Sequence, residues 1–169
     1  MRIAEYNDTD PEDDGGSAQP ADPLGAFLRG LLTMEPPLAP GGMRVTDTAT
    51  GTTLLPGCCT GFDEWRDWNK IVEEGYPSVG FGHDPSPLAE RLGDTVRLTV
   101  DAEQNDSPVI EMPVTGLRRS LTAAEQDLSD FLQSAAVWAD RHVPDHAAQV
   151  TTALAHALDM PAQATPSKP

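Results

Sequence analysis

The chain has 169 residues, enough for one domain with tails, and a formal net charge of −16. Only two lysines occur, Lys70 and Lys168, and no basic cluster stands ready to grip a phosphate backbone or an anionic lipid surface. Hydrophobic residues make up 38%, below the usual ~45–50%, so part of the chain is expected to stay outside any core.

That part is first of all the N-terminus. Residues 1–22 hold seven acidic residues against one basic one and carry −6 of the net charge. With Met1, Ile3 and Tyr6 as their only large apolar side chains, they bury too little to offset the entropy of ordering, and a disordered acidic arm is predicted. No basic start followed by an apolar run opens the chain, so no secretory signal is expected. Adjacent cysteines without further partners point to a reduced, cytoplasmic setting and to no disulfide framework.

Asp22-Pro23 reads as an N-cap and first-turn proline ahead of a short helix with Leu24, Phe27, Leu28, Leu31 and Leu32 in one stripe. This stretch is too short, and too interrupted by Arg29, to span a bilayer. A Pro/Gly run then ends it, so that residues 23–42 form a short helix and linker. Residues 43–160 are read as a single α+β domain. Met43–Thr46 and Thr52–Leu55 flank a Gly-containing turn and predict a hairpin. Thr60 with Asp63 resembles a shortened capping box for a helix over 61–74, with Phe62, Trp65, Trp68 and Val72 on its inner face. Residues 79–94 are read as an ordered loop, and 95–100 with 109–112 as two more strands.

Thr122 with Glu125 makes a fuller capping box, predicting a helix to His142 with Leu121, Leu128, Phe131 and Trp138 inward. Asp145 then caps a last helix over 146–159, and 161–169 is a flexible tail of small residues. The whole predicts a small antiparallel sheet of about four strands packed against two or three helices.

Cys58-Cys59 is the most unusual local feature. A thiol ahead of a helix start is open to activation by the helix dipole, and His83 with Asp84 supplies residue types for a base and its orienting carboxylate. Unpaired cysteine is also among the most buried residue types, and the reading preferred from sequence is that both thiols pack a tight turn beneath the sheet. Zinc ligands normally come at spacings such as C-x₂-C, so no metal site and no cofactor are expected. Gly80-Phe-Gly82 lacks the wider phosphate-binding pattern, and His142, His146 and His156 read as helix-end or surface residues.

At LLPGCCTGFDEWRDW (54–68), GHDPSP (82–87) and LTAAEQDLSDFLQSAAVWA (121–139) the chain resembles a group of uncharacterised actinobacterial proteins, over roughly residues 43–142. That resemblance implies a fold and no activity. The short α–β–α layout also looks loosely like the SMI1/KNR4-type immunity domains, which bind and neutralise toxins. Together with the charge, this predicts a non-enzymatic module, immunity-like or regulatory, whose acidic surface meets a basic protein partner, with no direct contact to nucleic acid or membrane. The alternatives are a thiol-dependent enzyme or redox sensor using Cys58, Cys59, His83 and Asp84, and an inhibitor that mimics nucleic acid.

Overall fold

The computed structural model describes residues 22–35, 37 and 39–161. The predicted arm and tail lie outside these residues, except for Asp22 and Pro161. The architecture is α+β. Helix α1 (Pro23–Thr33) begins as its sequence dictates, with the Asp22 carboxylate accepting from Gly25 N at 2.6 Å and Pro23 in the first turn. Strands β1 (Val45–Thr46) and β2 (Thr53–Leu54) form the expected hairpin, but as a separate two-stranded sheet.

The main sheet is an antiparallel meander of β3 (Ser78–Gly80), β4 (Leu88–Leu92), β5 (Thr95–Thr99) and β6 (Val109–Pro113). Two of its four strands therefore come from the stretch read as a loop. Leu88-Ala-Glu-Arg-Leu92 has no β-branched residue to announce a strand; pairing with β5 imposes the conformation. The β4–β5 turn has only Gly93 and Asp94 between the paired Leu92 and Thr95, and Gly93 takes the positive φ (66°) that such a tight connection needs. Period-two alternation then sorts the faces. Ala89, Val96, Leu98 and Ile110 are buried on one, while Arg97 and Glu111 pair across the other at 2.9 Å, in the open.

The predicted helix over 61–74 is two pieces, a 3₁₀ helix (Phe62–Asp67) followed by α2 (Trp68–Val72). Thr60 gives it no side-chain cap; its hydroxyl donates to Gly57 O instead, at 2.6 Å. Three residues per turn align Phe62, Trp65 and Trp68 more closely than an α-helix does, and both tryptophans are buried. Trp65 donates its indole N–H to Leu158 O at 2.9 Å, under the Arg66 guanidinium, while Trp68 stacks on Phe81 with centroids 4.0 Å apart. Two arginines close the far end of α2. Arg91 reaches Ile71 O at 2.8 Å, and Arg118 reaches Val72 O at 2.8 Å, so cations satisfy carbonyls that the helix leaves over.

Helix α3 (Val114–His142) starts eight residues before the predicted capping box. Its first turns bury Val114, Leu117 and Leu121 on the sheet core with Trp68, Ile71 and Val72. Thr122 is an interior residue whose hydroxyl bonds back to Arg118 O at 3.1 Å, which imitates a cap in sequence only. The inward stripe also differs from the prediction. Phe131 and Trp138 are 49% and 40% exposed, and Leu132 and Ala139 are buried in their place. Alternating three- and four-residue steps drift round a straight helix: at ~100° per residue, Leu132 and Ala139 lie within ~20° of Leu121, whereas Phe131 and Trp138 lie ~80–100° away from it.

Beyond the sheet, α3 packs on α4 (Ala147–Ala157), which a short 3₁₀ helix (Pro144–His146) precedes in place of an Asp145 cap. Ala139, Val143, Ala147 and Val150 make a second core against which Leu28, Leu31 and Leu32 of α1 dock. A third joins Leu132, Ala155 and Leu158. Among the described residues, no helix is long and apolar enough to cross a membrane. Truncating the aromatic that α2 contributes to the sheet core is expected to be costly: Trp68→Ala should lower unfolding free energy by about 3–5 kcal/mol, read as a lower denaturant midpoint.

Candidate functional site

Two loops, one leaving β2 and one leaving β3, cross where Gly57 and Gly82 meet. A Cβ on Gly57 would lie 2.3 Å from Pro85 O and 2.4 Å from His83 N, and one on Gly82 would lie 2.7 Å from Cys58 O. Gly82 also has a φ of +92°, which side chains rarely tolerate. Only backbone fits at this crossing. The contact is fastened by hydrogen bonds from Gly57 N to Phe81 O (2.8 Å), Cys58 N to His83 O (2.5 Å) and His83 N to Cys58 O (3.4 Å), the last two forming an isolated antiparallel bridge.

From that bridge both chains turn sharply through left-handed residues, Cys59 with φ 65° and Asp84 with φ 51°. Non-glycine residues held there carry strain of order 1–3 kcal/mol and persist where the surroundings over-determine them. The turns bring three side chains together. Cys58 Sγ and Cys59 Sγ are 3.3 Å apart, and one ring nitrogen of His83 lies within 4.8 Å of both sulfurs. His83 Nδ1 meets Asp84 Oδ2 at 3.2 Å.

All four residues suggested by the sequence are thus assembled, but not as the preferred reading had them. Both thiols are exposed. The space under the turn is taken by the backbone of the opposing loop, so the side chains are directed to water. Nor does the following helix start lower the pKa of Cys59. Cys59 is pushed up, first by its hydrogen bond with Cys58, then by the nearby charge of Cys58 and by partial desolvation. The sequence reading also missed the residues that build the site, Gly57 and Gly82. The signal was present as two glycines each just ahead of a chemistry-bearing residue, Cys58 and His83.

The His83 loop is braced from the β5–β6 turn. Asp101 accepts from Ser86 N and Glu103 N, each at 3.2 Å, and Ser86 Oγ donates to Glu103 at 2.9 Å. The backbone N–H of Ser86, then that of Glu103, and the Gln104 amide hold the Asp101 carboxyl below its ordinary value. A larger groove of about 780 Å³ lies elsewhere, between α1 and α4, lined by Leu31, Leu32, Met34, Pro37, Ala153 and His156 among others. Neither it nor the small void of about 10 Å³ beside Pro56 and Phe81 includes a thiol. Compared with protein-family models, characterised proteins and solved structures, the chain has no match.

Two predictions follow from how the site is held. Gly57→Ala should destabilise the fold and scatter the loop, whereas Cys59→Gly, relieved of its left-handed strain, should be as stable as the native chain to within about 1 kcal/mol; thermal melts of the two variants decide this. Because the Asp101 pKa is depressed on folding, its support is complete above the unfolded carboxylate range and disappears as pH falls through the lower folded value. Acid unfolding of Asp101→Asn should accordingly show a shallower pH dependence than the native protein.

Proposed function

We propose that the protein is a thiol-dependent redox sensor whose working groups are Cys58 and Cys59, with His83 as base and Asp84 orienting the imidazole. The observation that carries this reading is the exposed sulfur pair at 3.3 Å beside a ring nitrogen within 4.8 Å, mounted on a backbone crossing that admits no side chain. The hydrogen bond with Cys58 pushes the Cys59 pKa up, which leaves the part of the attacking sulfur to Cys58. Against a small disulfide as oxidant, the Cys58 thiolate attacks one sulfur and expels the other as a thiolate, leaving a mixed disulfide. Cys59, deprotonated by His83, then attacks Cys58 Sγ, releases the second thiolate and closes a Cys58–Cys59 disulfide. Two electrons and two protons pass to the oxidant. Adjacent Cα atoms are ~3.8 Å apart, short of the ~4.4–6.8 Å that relaxed disulfides span, so the ring is strained and readily reduced. Reversibility of this kind suits a sensor, and the cavities described above offer no substrate chamber at the thiols.

Alkylation of the native, reduced chain tests the reading. Both thiols should label without denaturant, His83→Ala should slow the reaction, and a small disulfide should remove two hydrogens from the intact mass. Labelling that waits for unfolding would sink it. The raised pKa of Cys59 gives a further sign. In Cys58→Ala the hydrogen bond and the neighbouring charge are gone, so the pH at which Cys59 reaches half its maximal labelling rate should move down.

A second reading, protein binding through an acidic surface, is favoured by a different feature. Phe27 and Trp138 meet edge to face at 6.4 Å, and with Phe131 and Val137 they remain 40% to 56% exposed on the outer side of the helical half. Exposed aromatics beside net negative charge suit a basic, partly apolar partner.

A further inference from the structure

The reduced site has a property that the redox reading does not require. We propose that Cys58, Cys59 and His83 together bind one Zn²⁺ ion, with the fourth position open to water. The inference rests on the same reading, that the pair is exposed and reduced, and adds a ligand to it.

Geometry is the first support. Tetrahedral zinc has Zn–S of about 2.3 Å and Zn–N of about 2.0–2.1 Å, which sets the sulfurs about 3.8 Å apart and each sulfur about 3.6 Å from the nitrogen. Here the sulfurs stand at 3.3 Å and the nitrogen within 4.8 Å. The sulfurs must part by about half an ångström and the imidazole must close by no more than about 1.2 Å. Forming the disulfide instead draws the sulfurs together by more than an ångström, to about 2.05 Å, inside a strained ring. In the reduced protein the arrangement lies nearer to a chelate than to a bond.

The surroundings agree. Asp84 Oδ2 stands 3.2 Å from Nδ1, so an ion bound while that contact persists takes the lone pair of Nε2. A carboxylate holding the other ring nitrogen is the usual outer support of a zinc-bound histidine, fixing its tautomer and raising its basicity. Two thiolates with one imidazole are soft enough to hold zinc where the many exposed carboxylates of this chain hold it weakly. A net charge of −16 raises the local concentration of any cation. Three protein ligands at an exposed position leave the fourth to water or to a partner's donor atom. Binding replaces two thiol protons by the ion, so two protons leave for each Zn²⁺ taken up.

The test is a titration of the reduced, full-length chain with Co²⁺ in the absence of air, followed by displacement with Zn²⁺. We expect a thiolate-to-cobalt charge-transfer band saturating at one ion per chain and bleached by an equivalent of Zn²⁺. The band should vanish in Cys58→Ser and in Cys59→Ser. It should weaken in His83→Ala, and Asp84→Asn should lower zinc affinity by roughly 10-fold or more while leaving the band in place. Affinity should fall by on the order of 100-fold per pH unit below the thiol range, following the two released protons. Bound zinc should also protect both thiols from alkylation. No charge-transfer band, or cobalt binding that survives loss of both cysteines, would overturn the inference. So would an affinity indifferent to His83→Ala. If the apo thiols label rapidly while no band forms, zinc is excluded and the redox reading stands; if they resist labelling as well, both fail.

Discussion

The site depends on a contact between two glycines. Gly57 and Gly82 let one backbone lie directly on another, and no side chain of any size fits there without displacing main-chain atoms. Everything distinctive about the site follows from that approach. The bridge between Cys58 and His83 is its hydrogen-bonded consequence, and the left-handed turns at Cys59 and Asp84 are where the two chains leave it. The crossing is also tied to the core. Phe81, one residue before Gly82, is stacked on Trp68, so the loop that carries His83 is anchored by an aromatic pair inside the main sheet's cluster.

The larger architecture is organised by α3, 29 residues or about 43 Å long. Its N-terminal part belongs to the sheet and its C-terminal part to a helical layer, so one rigid element joins cores that share few residues. Between them sits the Trp65–Arg66 pair. Trp65 bonds Leu158 O, and Arg66 bonds Asp159 and lies within 3.4 Å of Glu125, so the short 3₁₀ helix grips the end of α4. The Trp-bearing segment consequently touches both halves, which explains why so few residues contain two fully covered tryptophans.

What could be read beforehand was whatever rests on local chemistry. The Asp22 cap, the Pro23 first turn, the hairpin around Gly51, the β5 and β6 strands and the inward set of the last helix, Ala147, Val150 and Leu158, were all legible. What could not be read was decided at a distance. Leu88–Leu92 is a strand because β5 lies beside it, and the capping box at Thr122 misled because a threonine inside a helix satisfies itself on the carbonyl four residues back. The α3 stripe was misplaced because its alternating steps follow a period of ~3.5 residues and a straight helix turns every ~3.6. At the site, the residue types were legible and their convergence was not. Cys58 and His83 are 25 positions apart, and their distance is set by absent side chains, which leave no hydrophobic pattern to read.

Helix α1 has a different relation to the rest of the molecule. None of its residues is fully buried, and its hold on α4 comes from the partial cover of Leu28, Leu31 and Leu32. Stability in a protein is not uniform, and segments with little buried surface open first. The N-terminal helix can therefore detach and redock many times within the lifetime of one folded sheet. Each excursion uncovers the side of α4 around Ala147 and Val150 that those three leucines cover.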